Sequence, residues 1–391
     1  MIERADFAVV GGGPAGASAA RRLAAAGASV LLFERRPMPR PKPCGGALAA
    51  RGLAYLGFPL PDSLIDARAF GLRVHVGERS VEARLDTPIA VLVTRARFDQ
   101  FLVAKAEEAG ARVAWQFVRS VDVRPDGVVL TTPAGEFAAA CAVVCEGATA
   151  RLARAVAPPA ARHRLFCVAA DVPVAGGDGG ADPDGVLDVY HGGGRWGYGW
   201  VFHHGTYRSV GIAGSLSTMG GPRETFRQFA AQRGLALEGA RVRGHFIPCG
   251  GVRRRRSADR LLLAGDAAAL ADPFTGEGLG QAIRSGQLAA DVALDAASRR
   301  DVSAASLAAY DRLCYEAFDR DLRTAVRLAR AMTRWPSPTL HGVTSGADVL
   351  QRFLRIPIGE GTYRAFLRWF LPRALWRWAR AGAERLRRAS L

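Results

Sequence analysis

Gly11, Gly13 and Gly16 stand at G-x-G-x-x-G spacing directly after the apolar run Phe7-Ala8-Val9-Val10, and no other stretch restricts the fold so tightly. The run is too short for helical periodicity and reads as a buried strand. Residues 17–26 are rich in Ala, with Leu23, and form a helix by propensity, and Ser29-Val30-Leu31-Leu32-Phe33-Glu34 is a second strand closed by an acid. Strand, glycine loop, helix, strand and acid in that order make a dinucleotide-binding unit. Gly11 permits the tight turn, Gly13 lets backbone approach a pyrophosphate, and Gly16 lets the helix pack on the strand. Pro14 and Ala15 complete the loop, with the phosphates at the positive end of the helix. Glu34 accepts from the ribose hydroxyls and repels a 2′-phosphate, with Arg35 beside it as a further contact.

A second glycine-rich segment lies far downstream. Leu261-Leu262-Leu263-Ala264-Gly265-Asp266 is an apolar strand ending in Gly-Asp. Asp272-Pro273-Phe274-Thr275-Gly276-Glu277-Gly278-Leu279-Gly280 then leads into a helical stretch over residues 281–290. Between the two glycine segments lies Arg95-Ala96-Arg97-Phe98-Asp99-Gln100-Phe101-Leu102. These three segments resemble the FAD-binding signature of the large flavoprotein family that includes the aromatic hydroxylases. The resemblance implies FAD, with Gly265 and Asp266 at the ribityl chain and Arg95 reaching the phosphates. It also places Gly276, Gly278 and Leu279 at a helix N-terminus facing the pyrimidine end of the flavin, where the dipole favours the anionic reduced form. An NAD enzyme would need only the first segment.

Two further motifs concern the chemistry. Lys42-Pro43-Cys44-Gly45-Gly46 follows the nucleotide unit closely, and Tyr198-Gly199-Trp200-Val201-Phe202-His203 lies in the middle of the chain. In a strand Tyr198, Trp200 and Phe202 share one face and form an apolar wall, a pattern that on spacing alone also fits an ordinary sheet core. Together the two motifs resemble those of the geranylgeranyl reductase family, K-x-C-G-G near the flavin and Y-x-W-x-F-P along the substrate cavity, with His203 in place of the final proline. The resemblance covers about residues 5–295. It implies an FAD-dependent reductase that saturates carbon–carbon double bonds of an isoprenoid chain on a lipid, quinone or pigment, with NADPH or a ferredoxin as electron donor. Cys44 and Gly45 then lie beside the isoalloxazine, Tyr198, Trp200 and Phe202 bind the hydrocarbon, and Tyr198 and Trp200 stabilise the positive charge that develops during reduction. An FAD monooxygenase of an aromatic or polyketide substrate shares fold and cofactor and is the alternative. A flavin or lipid carrier is a third class, which would need neither the Cys-Gly-Gly segment nor the aromatic wall. The flavoprotein family carries Asp-Gly where this chain has Glu146-Gly147.

The expected architecture is α/β (α+β overall). A discontinuous Rossmann-like FAD-binding domain is expected over residues 1–65, 94–160 and 250–300. Short alternating strands such as Gly71–Val76 and Tyr207–Ile212 predict an inserted antiparallel-sheet substrate domain over 66–93 and 161–249. Residues 301–391 read as a helical C-terminal region, broken at Trp335-Pro336-Ser337-Pro338. Within it, residues 373–388 are rich in Arg and Trp, with Arg373, Arg377 and Arg380 on one helical face and Leu375, Trp378 and Leu386 opposite, a pattern suited to peripheral contact with an anionic membrane surface.

Composition narrows the rest. The 391-residue chain has a formal charge of +17, yet only Lys42 and Lys105 are lysines, and the arginine excess with abundant Ala and Gly reads as codon bias. No basic–aromatic interleaving points to nucleic acid, and Arg253 to Arg256 reads as a surface turn. The six cysteines show no metal-ligand spacing, and no metal is expected. The first apolar stretch is too short for a signal peptide and no run reaches the ~18 apolar residues of a membrane span, so a cytoplasmic location is expected, peripheral on the inner membrane surface. His203 and His204 are adjacent and cannot form a simple metal pair, and His75, His163, His191, His245 and His341 read as structural or surface residues.

Overall fold

Glu3–Val10 and Val30–Phe33 pair in parallel, with Phe7 opposite Val30 and Val10 opposite Phe33, and both bury every residue of the paired stretch. Strands buried on both faces are continuous in apolar residues, which is why this region shows no alternation. The computed structural model describes residues 2–156, 164–174, 184–192, 197–251, 255–334 and 346–374. Gly135–Val144 flanks Glu3–Val10 on its other side, followed by Leu261–Leu263, both in parallel, while Arg112–Ala114 adds to Val30–Phe33. Because Glu3–Val10 and Leu261–Leu263 both run parallel to the Gly135–Val144 strand between them, the two glycine segments lie at the same edge, beyond the carboxyl ends of the strands, where ligands of doubly wound sheets bind.

Two helices cover one face at very close range. Pro14–Ala25 starts with Pro14 at its first turn, where the missing N–H costs nothing. It packs on Leu279–Ser298, and a Cβ at Gly286 would fall 2.1 Å from the Ala15 carbonyl oxygen. Arg95–Glu108 packs on the other side of Pro14–Ala25.

The second layer is a seven-stranded sheet in the order 243–248, 164–173, 207–214, 198–203, 186–191, 71–76, 79–84. It is the antiparallel sheet expected, with one parallel pair, Val186–His191 beside Gly71–Val76. Ala67–Ala69 and Ala90–Leu92 do not join it. Ala90–Leu92 pairs on one side with Ala67–Ala69 and on the other with Ala47–Ala49 in a separate three-stranded sheet.

The C-terminal region is helical over Ala304–Cys314, Arg320–Arg334 and Ala347–Leu354 and in the stretch 363–374, with a π-helical turn at Tyr315–Asp319. It is tied to the nucleotide layer by buried polar contacts. Tyr310 donates to the Leu263 carbonyl at 2.7 Å, and Arg256 makes a forked ion pair with Asp319 at 2.8 and 3.1 Å. The surface turn expected around Arg256 is therefore wrong at that residue: its side chain is fully buried, because Asp319 and the Ala268 carbonyl give its guanidinium partners inside. Arg253, Arg254, the 335–338 break and the amphipathic face of 375–388 lie outside the described residues, as do His163 and His341.

Candidate active site

Glycines in the nucleotide loop serve two different demands. At Gly16 a Cβ would lie 1.8 Å from the Gly11 carbonyl oxygen, and at Gly11, where φ is +108°, one would lie 2.4 Å from the Cys145 carbonyl oxygen. The fold itself requires these two. Gly13 and Gly278 meet nothing closer than 3.7 and 3.5 Å, yet both line the cavity described below, so their bareness leaves room for a ligand rather than for protein. Glu34 is already fixed in the loop. Its Oε2 accepts the Gly12 N–H at 2.9 Å, its Oε1 accepts the Arg36 N–H at 3.1 Å, and Arg40 bridges it to Asp99.

A single cavity of about 1190 Å³ runs from this loop into the space under the seven-stranded sheet. Gly11, Gly13, Pro14, Ala15, Glu34, Arg35 and Arg95 line its nucleotide end. Gly265, Asp266, Gly276, Gly278 and Leu279 line its flank, Cys44 and Gly45 its waist, and Tyr198, Trp200 and Phe202 its far wall. Of the residues expected to bind cofactor or substrate, only Gly16 does not reach it. Arg95 is held by a forked pair with Asp99 at 2.8 and 2.9 Å, and that buried carboxylate keeps its guanidinium charged.

The waist is built by close packing between distant segments. A Cβ at Gly45 would fall 2.9 Å from Phe202 and 3.2 Å from Trp200 Nε1, so the Cys-Gly-Gly turn lies directly on the aromatic row. Trp200 in turn lies across Gly211 on the neighbouring strand, where a Cβ would be 2.2 Å from its ring. Its Nε1 donates to Ser209 Oγ at 3.3 Å, and Ser209 donates to the Cys44 carbonyl at 3.2 Å. His204, buried just beyond the strand end, donates from Nε2 to the Gly45 carbonyl at 3.0 Å, since a carbonyl only accepts. Its Nδ1 meets Asp66 at 2.9 Å, and Thr94 joins Asp66 and Tyr207 to the same network. Thr94 precedes the Arg95–Glu108 helix but spends its hydroxyl here instead of on a cap.

Several cavity residues were not expected. His245 and His191 line it instead of serving as surface or structural groups. The edge strand Arg243–Pro248 carries His245 to the Lys42 ammonium, and burial together with that cation pushes the imidazole down to about 3. Burial likewise lowers His191. His75 is structural as expected, bonded to Asp188 at 2.6 Å and stacked on Tyr190. The C-terminal region also reaches the cavity, through Met332, Leu350, Phe353, Leu354 and Pro357. The pairs Val349-Leu350 and Phe353-Leu354, four residues apart, are the sequence signal of this buried helical face. Burial raises the Tyr198 hydroxyl well above its usual range and holds it neutral.

A dinucleotide loop, a Gly-Asp segment and a helix N-terminus meeting at one elongated cavity define an FAD-dependent oxidoreductase. Residues 9–41 match the family model of NAD(P)-binding Rossmann-like domains. Over 365 residues the chain is 30% identical to menaquinone reductase of Mycobacterium tuberculosis, covering 85% of each chain. It is 28% identical over 376 residues to digeranylgeranylglycerophospholipid reductase 2 of Methanopyrus kandleri, covering 91% of this chain and 93% of that one. The fold is shared with a geranylgeranyl bacteriochlorophyll reductase-like protein of Thermoplasma acidophilum at a TM-score of 0.79 and 23% identity, covering 96% and 98% of the two chains. The chain belongs to the geranylgeranyl reductase family.

Proposed function

We infer that the protein saturates carbon–carbon double bonds of an isoprenoid chain carried by a lipid, quinone or pigment. One observation carries this reading: the nucleotide loop and the Tyr198–Trp200–Phe202 wall open into the same cavity, joined at Cys44-Gly45. The relatives' names, a menaquinone reductase and a digeranylgeranylglycerophospholipid reductase, point to substrates with long prenyl chains.

Gly11 to Ala15, Glu34, Arg35 and Arg95 would hold the adenosine and phosphates of FAD, and Asp266, Gly276, Gly278 and Leu279 would hold its flavin end. Bound and reduced, FAD supplies the hydride. The chain supplies the rest. Leu72, Val74, Leu187, Phe353 and Leu354 exclude water from an apolar chamber around the alkene. Tyr198 and Trp200 present ring faces to the carbon that becomes electron-poor, where an isolated alkene has no carbonyl to share the charge. Gly45, bare and pressed on Phe202, lets the Cys44 turn approach closely, and the Ser209 and His204 bonds fix that turn in place.

Anaerobic incubation of the reduced holoprotein with polyprenyl lipids, prenylated quinones and prenylated pigments tests the reading. The expected product gains two hydrogens per bond while the flavin reoxidises without oxygen. A product that gains one oxygen atom, with reoxidation only in air, overturns it in favour of a monooxygenase. Supplying NADPH and reduced ferredoxin separately identifies the electron donor. Among the described residues no helix is long and apolar enough to cross a membrane. Peripheral contact is proposed for the Arg- and Trp-rich residues 373–388, and cosedimentation with anionic vesicles, lost on truncation at 374, checks it.

A further inference from the structure

Among the described residues, two acids in the cavity wall have no part in the nucleotide site or the aromatic row: Glu146, whose Oε1 accepts the Ala153 N–H at 2.9 Å, and Glu277. It precedes Gly278 at the start of the Leu279–Ser298 helix and lines the cavity. Its carboxylate is tucked over Gly280, where a Cβ would lie 3.0 Å from Oε1, and only 14% of the side chain is exposed. Oε1 is buried with no hydrogen-bond partner among the described residues, and Oε2 stands 3.9 Å from Arg51. A buried carboxylate oxygen left bare is costly as an anion and calls for a functional explanation.

The charges around it favour a bound proton. From the Ala50–Ala54 helix comes Arg51, the nearby cation among the described residues; from its own loop comes the buried Asp272; Gln281 on the next turn is uncharged and, as a hydrogen-bond partner, pulls weakly with Arg51. From the 363–374 stretch comes Tyr363, which donates to Asp272 at 2.8 Å and also senses Asp321. Three carboxylates thus lie around one arginine; Asp272 has the Phe274 and Thr275 N–H groups and Asp321 the Tyr363 and Arg364 N–H groups, while Glu277 has no backbone donor of this kind among the described residues. Burial, then Asp272, pushes Glu277 up to about 7, against the pull of Arg51.

We propose that Glu277 is the proton donor for alkene reduction, an inference that rests on the reductase reading above. One alkene carbon takes a hydride from the reduced FAD. The other uses the π electron pair to take the proton from Glu277, so that two C–H bonds replace the π bond. FAD is left oxidised and Glu277 a carboxylate, which regains its proton from solvent. An isolated alkene is protonated only where positive charge develops, so the acid belongs in the wall of the chamber that also holds the aromatic faces.

The test compares full-length, FAD-loaded wild type with Glu277→Gln and Glu277→Asp in anaerobic single turnovers on a geranylgeranyl lipid. In wild type the rate of flavin reoxidation by substrate should fall as pH rises through about 7. In Glu277→Gln it should be slower by roughly 100-fold, the scale of general acid catalysis, and flat with pH. Glu277→Asp should restore part of the rate, and reduction by dithionite should be alike in all three. A second readout needs no turnover. Infrared difference spectra of the FAD-free chain between about pH 6 and about pH 8 should show loss of a protonated carboxyl band that Glu277→Gln lacks. Wild-type turnover with an unchanged Glu277→Gln profile overturns the proton donor alone, as does an infrared difference that survives the substitution. Failure of wild type to reduce any prenyl lipid overturns the reductase reading itself.

Discussion

The Tyr198 hydroxyl occupies the space that a side chain at position 276 would need: a Cβ built on Gly276 lies 1.8 Å from it. Gly276 also has φ of +73°, so the contact joins the aromatic wall to the loop at the flavin end through a backbone only glycine adopts readily. Gly276→Ala is expected to cost about 1–2 kcal/mol for the left-handed backbone alone and to displace Tyr198. Thermal unfolding and FAD titration check this. Gly276→Ala combined with Tyr198→Phe should recover part of the lost flavin affinity, and no recovery would show that the two residues act independently.

Cys44→Ala should keep FAD and slow alkene reduction by an order of magnitude or more. Cys44 lines the cavity, and the substitution removes only the 3.4 Å bond from the Gly46 N–H to Sγ, while the main-chain oxygens of Cys44 and Gly45 that hold the turn stay intact. His204→Ala separates the two effects. It strips the bond to the Gly45 carbonyl and leaves Asp66 with a lost partner, at a cost of ~1–3 kcal/mol. Stopped-flow reoxidation should fall in the first variant with Tm unchanged, and Tm should fall in the second.

His245 gives a pH dependence of definite sign. Its folded value lies near 3, below the ordinary 6.5 of the unfolded chain. Between those values the unfolded chain binds the extra proton, so this residue's contribution to stability is full above about 6.5 and is lost as pH falls toward 3. His245→Asn should flatten the acid limb of a Tm-against-pH curve of the FAD-free protein relative to wild type. Parallel curves would place the imidazole in solvent.

Asp319→Ala should be the most damaging change far from the cavity. It leaves the guanidinium of Arg256, fully buried, without its carboxylate, and removing one partner of a buried pair costs about 3–5 kcal/mol. Denaturant unfolding measures it, and Asp319→Asn, which keeps a hydrogen-bond acceptor, should lose less.

The nucleotide end was legible because its signals are local. The apolar runs, the glycine spacing and the helix between Gly13 and Ala26 follow from steric and hydrogen-bonding rules that act within about 30 residues. Tyr198, Trp200 and Phe202 were likewise bound to share a face by strand geometry alone. The partners of those elements were not legible. Nothing in the spacing shows that Gly45 would be pressed on Phe202, that Arg256 would be buried by an aspartate in a π-helical turn, or that the edge strand would bring His245 to Lys42. Val186–His191 could not be read as a parallel neighbour of Gly71–Val76, because strand direction is set by the path of the intervening chain and not by alternation.

By itself, then, the sequence determined the loop that takes the cofactor's phosphates and the residue types at the waist of the site. The tertiary structure decided which of them meet. A cavity is a property of surfaces brought together from segments over two hundred residues apart, and so the position of Glu277 and the C-terminal share of the wall appear only when the chain is folded.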